Sequence, residues 1–225
     1  EPIYRTGNYN LPVKVAEPDL AEMEDTELAI ARRAAILEDS REMQNAVYLG
    51  EGLEDVMDVD ATARFFLTND LVLSQEINHP KSTFLYKDES IADGKLTFGP
   101  VWDFGSSFNR DKSQYMYQGA VWHNHWIPEI CKFPVFMSRV KEIWNEFYNG
   151  KYNNIYTFID THESLIKQAV VKDKERWPQY HGSQTLSTYI DRTTDVLRKN
   201  AKWLNEQWKS NDGGGNNDNN GDNNN

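Results

Sequence analysis

Apolar residues recur at three- and four-residue spacing through most of this chain, so the pattern of hydrophobic and polar positions predicts helices first. Leu20, Met23, Leu28, Ile30, Ala31, Ala34, Ala35, Leu37 and Met43 carry that period through a highly charged stretch, residues 19–50. Asp19 and Glu22 suit the positive end of a helix there, and Gly50 suits its termination. A second helix is expected after Asp60, where Ala61, Phe65, Phe66, Leu67, Leu71, Val72 and Leu73 are apolar almost all round. Such a helix belongs in the centre of the fold, and it delivers Glu76 at its end. Three more periodic segments follow at 133–148, 155–177 and 185–208, the first with Pro134 in its opening turn. The three are expected to stack as a helical bundle.

The interruptions of this rhythm are as informative as the rhythm. Residues 1–18 have no helical period, and the alternation of Leu11, Val13 and Val15 predicts one strand within a loop. Residues 84–87 and 95–98 are aromatic or β-branched runs separated by an acidic turn containing Asp93-Gly94, which predicts a β-hairpin. Trp102-Asp103-Phe104-Gly105 follows at once. Residues 106–130 read as a long loop holding Phe108, Tyr115, Tyr117, Trp122, His123, His125 and Trp126, and a loop of that length inside a domain is usually functional or covers a site. From Gly213 onward there is no apolar residue to offset ordering entropy, so residues 211–225 are expected to form a disordered tail or linker. The resulting picture is an α+β domain, mainly helical, over residues 1–210, with a central hairpin and a helical bundle at its C-terminal end.

Composition narrows the partners. A net charge of −11 disfavours nucleic acid and anionic lipid and leaves neutral, cationic or metal-bearing partners. Hydrophobic residues are 39% of the chain and aromatic residues 12%, so the core must be largely aromatic. Cys131 is the single cysteine, which excludes an internal disulfide. No run approaches the roughly 18 apolar residues of a membrane span. The chain opens at Glu1 rather than Met, as expected of a mature form or an excised fragment.

The candidate chemistry gathers around the hairpin. Asp103 lies just beyond it, and a hard carboxylate in that place suits Mg²⁺, which bridges phosphate oxygens in phosphoryl transfer; the plainer alternative is a strand-end carboxylate capping a turn. Glu76, Asn78, His79 and Ser82 precede the first strand, where the topology brings them toward Asp103. Lys87, on the hairpin, is either a phosphate partner or a solvent-facing lysine. His123 and His125 fall short of the three or four ligands zinc needs. Asp55, Asp58 and Asp60 lack the glycine and distal glutamate of a calcium loop and read as a solvated helix start. Most tryptophans sit at helical spacing and belong to the core; Trp122 and Trp126 do not, and remain open as a sugar platform.

The run His79-Pro-Lys-Ser-Thr-Phe-Leu-Tyr-Lys-Asp88, followed by Lys95-Leu-Thr-Phe-Gly-Pro-Val-Trp-Asp-Phe104, resembles the core of the CotH kinase family, atypical kinases similar to spore coat protein H. Phe133-Pro134-Val135-Phe136, Arg176-Trp177 and Lys202-Trp203-Leu204 extend the resemblance, which spans roughly residues 12–208. It implies the C-terminal lobe of a protein-kinase-like fold, transfer of phosphate from ATP to Ser or Thr of a protein, and a place at the cell surface or outside the cell. It further implies Asp103 as the Mg²⁺ ligand, Ser82 and Lys87 on the nucleotide side, and Glu76 with Asn78 as the catalytic pair. Two positions depart from the family pattern. The second acid of its usual W-D-F-D is Gly105 here, and the Asp that many members carry five residues before Ser82 is Ile77. No glycine-rich loop precedes the hairpin, so a non-catalytic scaffold or adhesion module built on the same lobe is the alternative.

Overall fold

The computed structural model describes residues 4–5, 12–74, 82–88, 90, 94–108 and 126–209. The expected strand near residue 13 is present as β2 (Pro12–Val13), paired antiparallel with β1 (Tyr4–Arg5). Helix α1 (Thr26–Leu49) begins seven residues later than the sequence suggested. Asp19 only closes a local turn, its Oδ1 accepting from Ala21 N, whereas Asp25 Oδ1 accepts from Leu28 N and so satisfies a free donor of the first helical turn. Gly50 ends the helix in the left-handed region, as expected of a C-terminal glycine. A short helix not foreseen, α2 (Leu53–Val56), then leads into α3 (Val59–Val72), capped by Asp58 through Ala61 N.

Helix α3 is the centre of the fold. It packs against α5 (Pro134–Gly150) and α7 (Leu186–Trp208), and the hairpin of β3 (Leu85–Tyr86) and β4 (Thr97–Phe98) lies on it as well. The core contains Phe65, Phe66 and Leu71 of α3, Phe136, Val140, Ile143 and Trp144 of α5, and Val196, Leu197, Ala201 and Leu204 of α7. Phe66 meets Phe136 edge-on, ring centres 5.2 Å apart, so the expected aromatic core is present where three helices converge.

Two expectations need correction. Residues 126–130 are not loop but a short helix, α4 (Trp126–Ile130), and Trp126 is buried, which removes it from any sugar platform. The bundle is also composed differently. Helix α6 (Asn154–Arg176) stacks on α7 and reaches the core through the half-buried Ile155, Tyr156 and Ile159, with no residue fully buried, and α3 joins α5 and α7 at the centre. A 3₁₀ turn (Pro178–Tyr180) connects α6 to α7, whose N-cap Thr185 accepts from Thr188 N. No helix among the described residues is long and apolar enough to cross a membrane. Residues 211–225, the expected tail, lie outside the described residues.

Candidate functional site

The hairpin is pinned to α3 by one side chain and one bridge. Phe98 is buried with its ring 5.5 Å from that of Phe65 and 5.7 Å from that of Phe66. Leu96 exchanges backbone hydrogen bonds with the segment entering α3, donating to Val56 O at 3.0 Å and accepting from Asp58 N at 2.9 Å. Within the hairpin Leu85 opposes Phe98 and Tyr86 opposes Thr97, a register inside the expected 84–87 and 95–98. Gly99 N continues the pairing to Phe84 O at 3.0 Å, with a φ of 136°, a conformation open to glycine and almost nothing else.

Beyond Gly99 the two limbs run side by side and make two successive cross-contacts. Phe84 and Trp102 meet edge to face at 6.3 Å. Next to them Ser82 Oγ donates to Asp103 Oδ2 at 3.4 Å, while Asp103 Oδ1 accepts from Gly105 N at 3.3 Å. Both bonds are at the long end of the hydrogen-bonding range and Asp103 is exposed, so its carboxylate keeps lone pairs available. The structure therefore brings together Ser82 and Asp103, residues that chain order alone suggested. Glu76 and Asn78 lie outside the described residues, as do Trp122, His123 and His125.

The backbone marks the same place. Among the described residues the non-glycine positions with positive φ are Leu73 at 53°, Ser82 at 51°, Asp103 at 57° and Phe108 at 59°. Left-handed conformations of such residues cost on the order of 1–3 kcal/mol each and persist only where surrounding structure enforces them. All four bracket the hairpin: Leu73 ends α3, Ser82 enters the first limb, and Asp103 and Phe108 leave the second.

Two of the four, Leu73 and Phe108, meet at the last turn of α3. The final carbonyls of a helix lack intrahelical donors. Here Asp70 O and Leu71 O both accept from the side-chain amide of Asn200, at 2.5 and 2.8 Å, and Val72 O accepts from Phe108 N at 2.8 Å. One helix end thus joins the limb after Asp103, through Phe108, to α7, through Asn200. Neither role was read from the sequence. The signal for Asn200 was present, because it falls on the buried face with Val196, Leu197, Ala201 and Leu204, where an amide needs a reason to be.

Lys87 sits in a different environment. Its ammonium pairs with Asp39 of α1 at 2.7 Å and so ties the hairpin to that helix. A cleft of about 510 Å³ also opens on this side, lined by Glu54, Asp58, Asp60, Tyr86, Asp88 and Lys95 among others, and Asp103 is not part of it. Concavity and chemistry point to different places, and the chemistry decides. Asp58 is occupied as the α3 cap. Arg139 binds Asp60 through two nitrogens and holds its carboxyl below the usual range, and Ser90 does the same to Asp88 through its hydroxyl and N–H. Lys95 donates to the Glu54 carbonyl. Asp58 and Asp60 thus stand at the start of α3, as expected, but engaged as a cap and an ion pair and not simply solvated. Cys131, elsewhere in the fold, has its thiol pushed up by burial, which disfavours the thiolate.

No group of three or more His, Cys, Asp or Glu among the described residues is placed to hold a metal. Mg²⁺ does not require one, since it is commonly held by one or two carboxylates and completes its shell with phosphate oxygens and water. A carboxylate with a neighbouring hydroxyl, as at Asp103 and Ser82, fits an ion that arrives with a nucleotide rather than one resident in the free protein. A family model described as CotH kinase protein matches residues 10–204 of the chain. No curated protein and no solved structure matches it.

Proposed function

Because the chain belongs to the CotH kinase family, we propose that it binds ATP with Mg²⁺ at Asp103 and Ser82 and passes the γ-phosphate to Ser or Thr of a surface or coat protein, with low turnover in this chain by itself. The observation that carries this reading is the Ser82–Asp103 contact, made by two residues with left-handed backbone at the end of an anchored hairpin. Asp103 and Ser82 would hold the ion, which neutralises charge on the phosphate oxygens when bound. Glu76, as the substitute acid, would take the proton of the acceptor hydroxyl as its oxygen bonds to the γ-phosphorus and the bond from that phosphorus to the bridging oxygen of ADP breaks, with Asn78 assisting Asp103. The single clear carboxylate at Asp103, with Gly105 in place of a second, is the reason to expect slow transfer: loss of one transition-state donor commonly costs about 3–4 kcal/mol.

Titration calorimetry tests the binding step. Mg·ATP is expected to bind wild type and to lose at least tenfold in affinity with Asp103→Asn, and equal binding by both removes Asp103 from the site. Labelled ATP with Mg²⁺ or Mn²⁺, a Ser-rich acceptor and Asp103→Ala as blank then tests turnover. Robust transfer abolished by that substitution would show that Glu76 suffices and the low-turnover reading is wrong. One observation favours the scaffold alternative, namely that Lys87 is engaged with Asp39 instead of facing the site. Under that reading neither experiment gives a signal.

A further inference from the structure

A series of hydrogen bonds, each within a residue or two of the next, leads from Asp103 back into the fold. Gly105 N donates to Asp103 Oδ1 at 3.3 Å, and Gly105 lies within a turn closed by Ser107 N on Phe104 O at 3.0 Å. The next residue, Phe108, donates to Val72 O at 2.8 Å. The two carbonyls before Val72 accept from the Asn200 side chain. The limb that carries Asp103 is thus fastened at one end to the hairpin, through Gly99 N and the Phe84–Trp102 contact, and at the other to the end of α3. Between these points the carboxylate is exposed and its own hydrogen bonds are long, so its direction follows from where the limb is held.

Asn200 is 4% exposed and lies among Val196, Leu197, Ala201 and Leu204, where an amide is costly unless its donors are used. The end of α3 does not need it for closure. Leu73 N donates to Asp70 O at 3.2 Å and Ser74 N to Asn69 O at 2.9 Å, the bonds of an ordinary helix terminus. What the Asn200 amide adds is a tie between that terminus and a different helix. We propose that Asn200 is a positioning residue for Asp103: it holds the last turn of α3 against α7, and with it the Val72 carbonyl on which Phe108 seats the far end of the limb. The inference rests on the reading of Asp103 as the ligand of Mg·ATP.

Titration calorimetry with Mg·ATP on wild type, Asn200→Ala and Leu204→Ala tests it, because Leu204 is an apolar, fully buried position one turn along the same helix. Affinity should fall about tenfold in Asn200→Ala, the low end of what partners outside a ligand shell contribute, and stay close to wild type in Leu204→Ala, with urea midpoints recording that both are destabilised. The Gly105 and Ser107 amides should exchange with deuterium faster in Asn200→Ala and not in Leu204→Ala. Both lie on a limb open to solvent and exchange by local opening, so loss of global stability alone does not move them. Where Asn200→Ala does not fold, Asn200→Ser, whose hydroxyl serves one carbonyl at most, takes its place under the same criteria. Wild-type affinity in the Asn200 variant, or equal losses in both variants, overturns the proposal and leaves Asn200 a structural residue. Failure of the nucleotide reading looks different: Asp103→Asn then binds Mg·ATP as wild type does, and the amides decide. Unchanged exchange at Gly105 and Ser107 would overturn the positioning role, and faster exchange in the Asn200 variant alone would support it.

Discussion

The contact of α3 with α5 and the contact of α3 with the hairpin are built on the same helix by opposite means. The first interlocks Phe66, Phe136, Val140 and Trp144 in a buried cluster whose helices contain no left-handed non-glycine residue. The second rests on Phe98 and a few backbone bonds, leaves Trp102 and Asp103 in solvent, and concentrates the unfavourable backbone conformations at its edges. Stability is located in one and the proposed site in the other, and the last turn of α3 is where they meet. Substitutions on the two sides should therefore part company.

The largest effect is expected in the core. Phe136 is fully buried against Phe66, and Phe136→Ala should lower the unfolding free energy by about 3–5 kcal/mol, read from the urea midpoint. A loss under about 1 kcal/mol would mean the cluster repacks freely and the contrast with the hairpin is overstated. Asn200→Ala should come next, at about 1–3 kcal/mol, since it removes the side-chain donor from Leu71 O and from Asp70 O, the latter keeping the bond from Leu73 N at 3.2 Å. Its distinguishing mark is local: the Phe108 amide should exchange with solvent deuterium faster than amides of α5. If exchange at Phe108 is unchanged, α7 and the site are not joined through this helix end.

On the hairpin side the sign should reverse. Asp103→Gly removes the left-handed penalty and two long, exposed hydrogen bonds, so it is expected to stabilise by roughly 0.5 kcal/mol while abolishing Mg·ATP binding. A destabilised variant would show that Asp103 is held for structural reasons. The smallest effect concerns acid. Arg139 depresses the carboxyl of Asp60 below its unfolded value, so this pair contributes stability above the ordinary carboxylate range and loses it as pH falls through the depressed value. Wild type should exceed Asp60→Asn in melting temperature at neutral pH and converge with it in strong acid; a constant gap would exclude the ion pair as the cause.

Much of the core was legible in the sequence because periodicity reports a covered face directly. Helices α3, α5 and α7 lie within a few residues of expectation, and the hairpin is in its expected place. Periodicity does not report how deeply a face is covered, which is why α6, whose core contacts are only half-buried, reads in the sequence like α5 and α7. Nor does it distinguish Asp19 from Asp25 as a cap, because that choice depends on which backbone N–H each carboxylate reaches. At the site, the proximity of Ser82 and Asp103 followed from a hairpin joining them. The anchoring by Asn200 did not, since nothing local links a residue on the last helix to a carbonyl about 130 positions earlier.

That separation bears on how the molecule comes into being. Non-local contacts form late and only after loop-closure entropy has been met. Asn200 follows Asp70 by 130 positions, whereas the strands of the hairpin are near neighbours in sequence, so the hairpin next to Asp103 is expected to close before the bond that completes the end of α3.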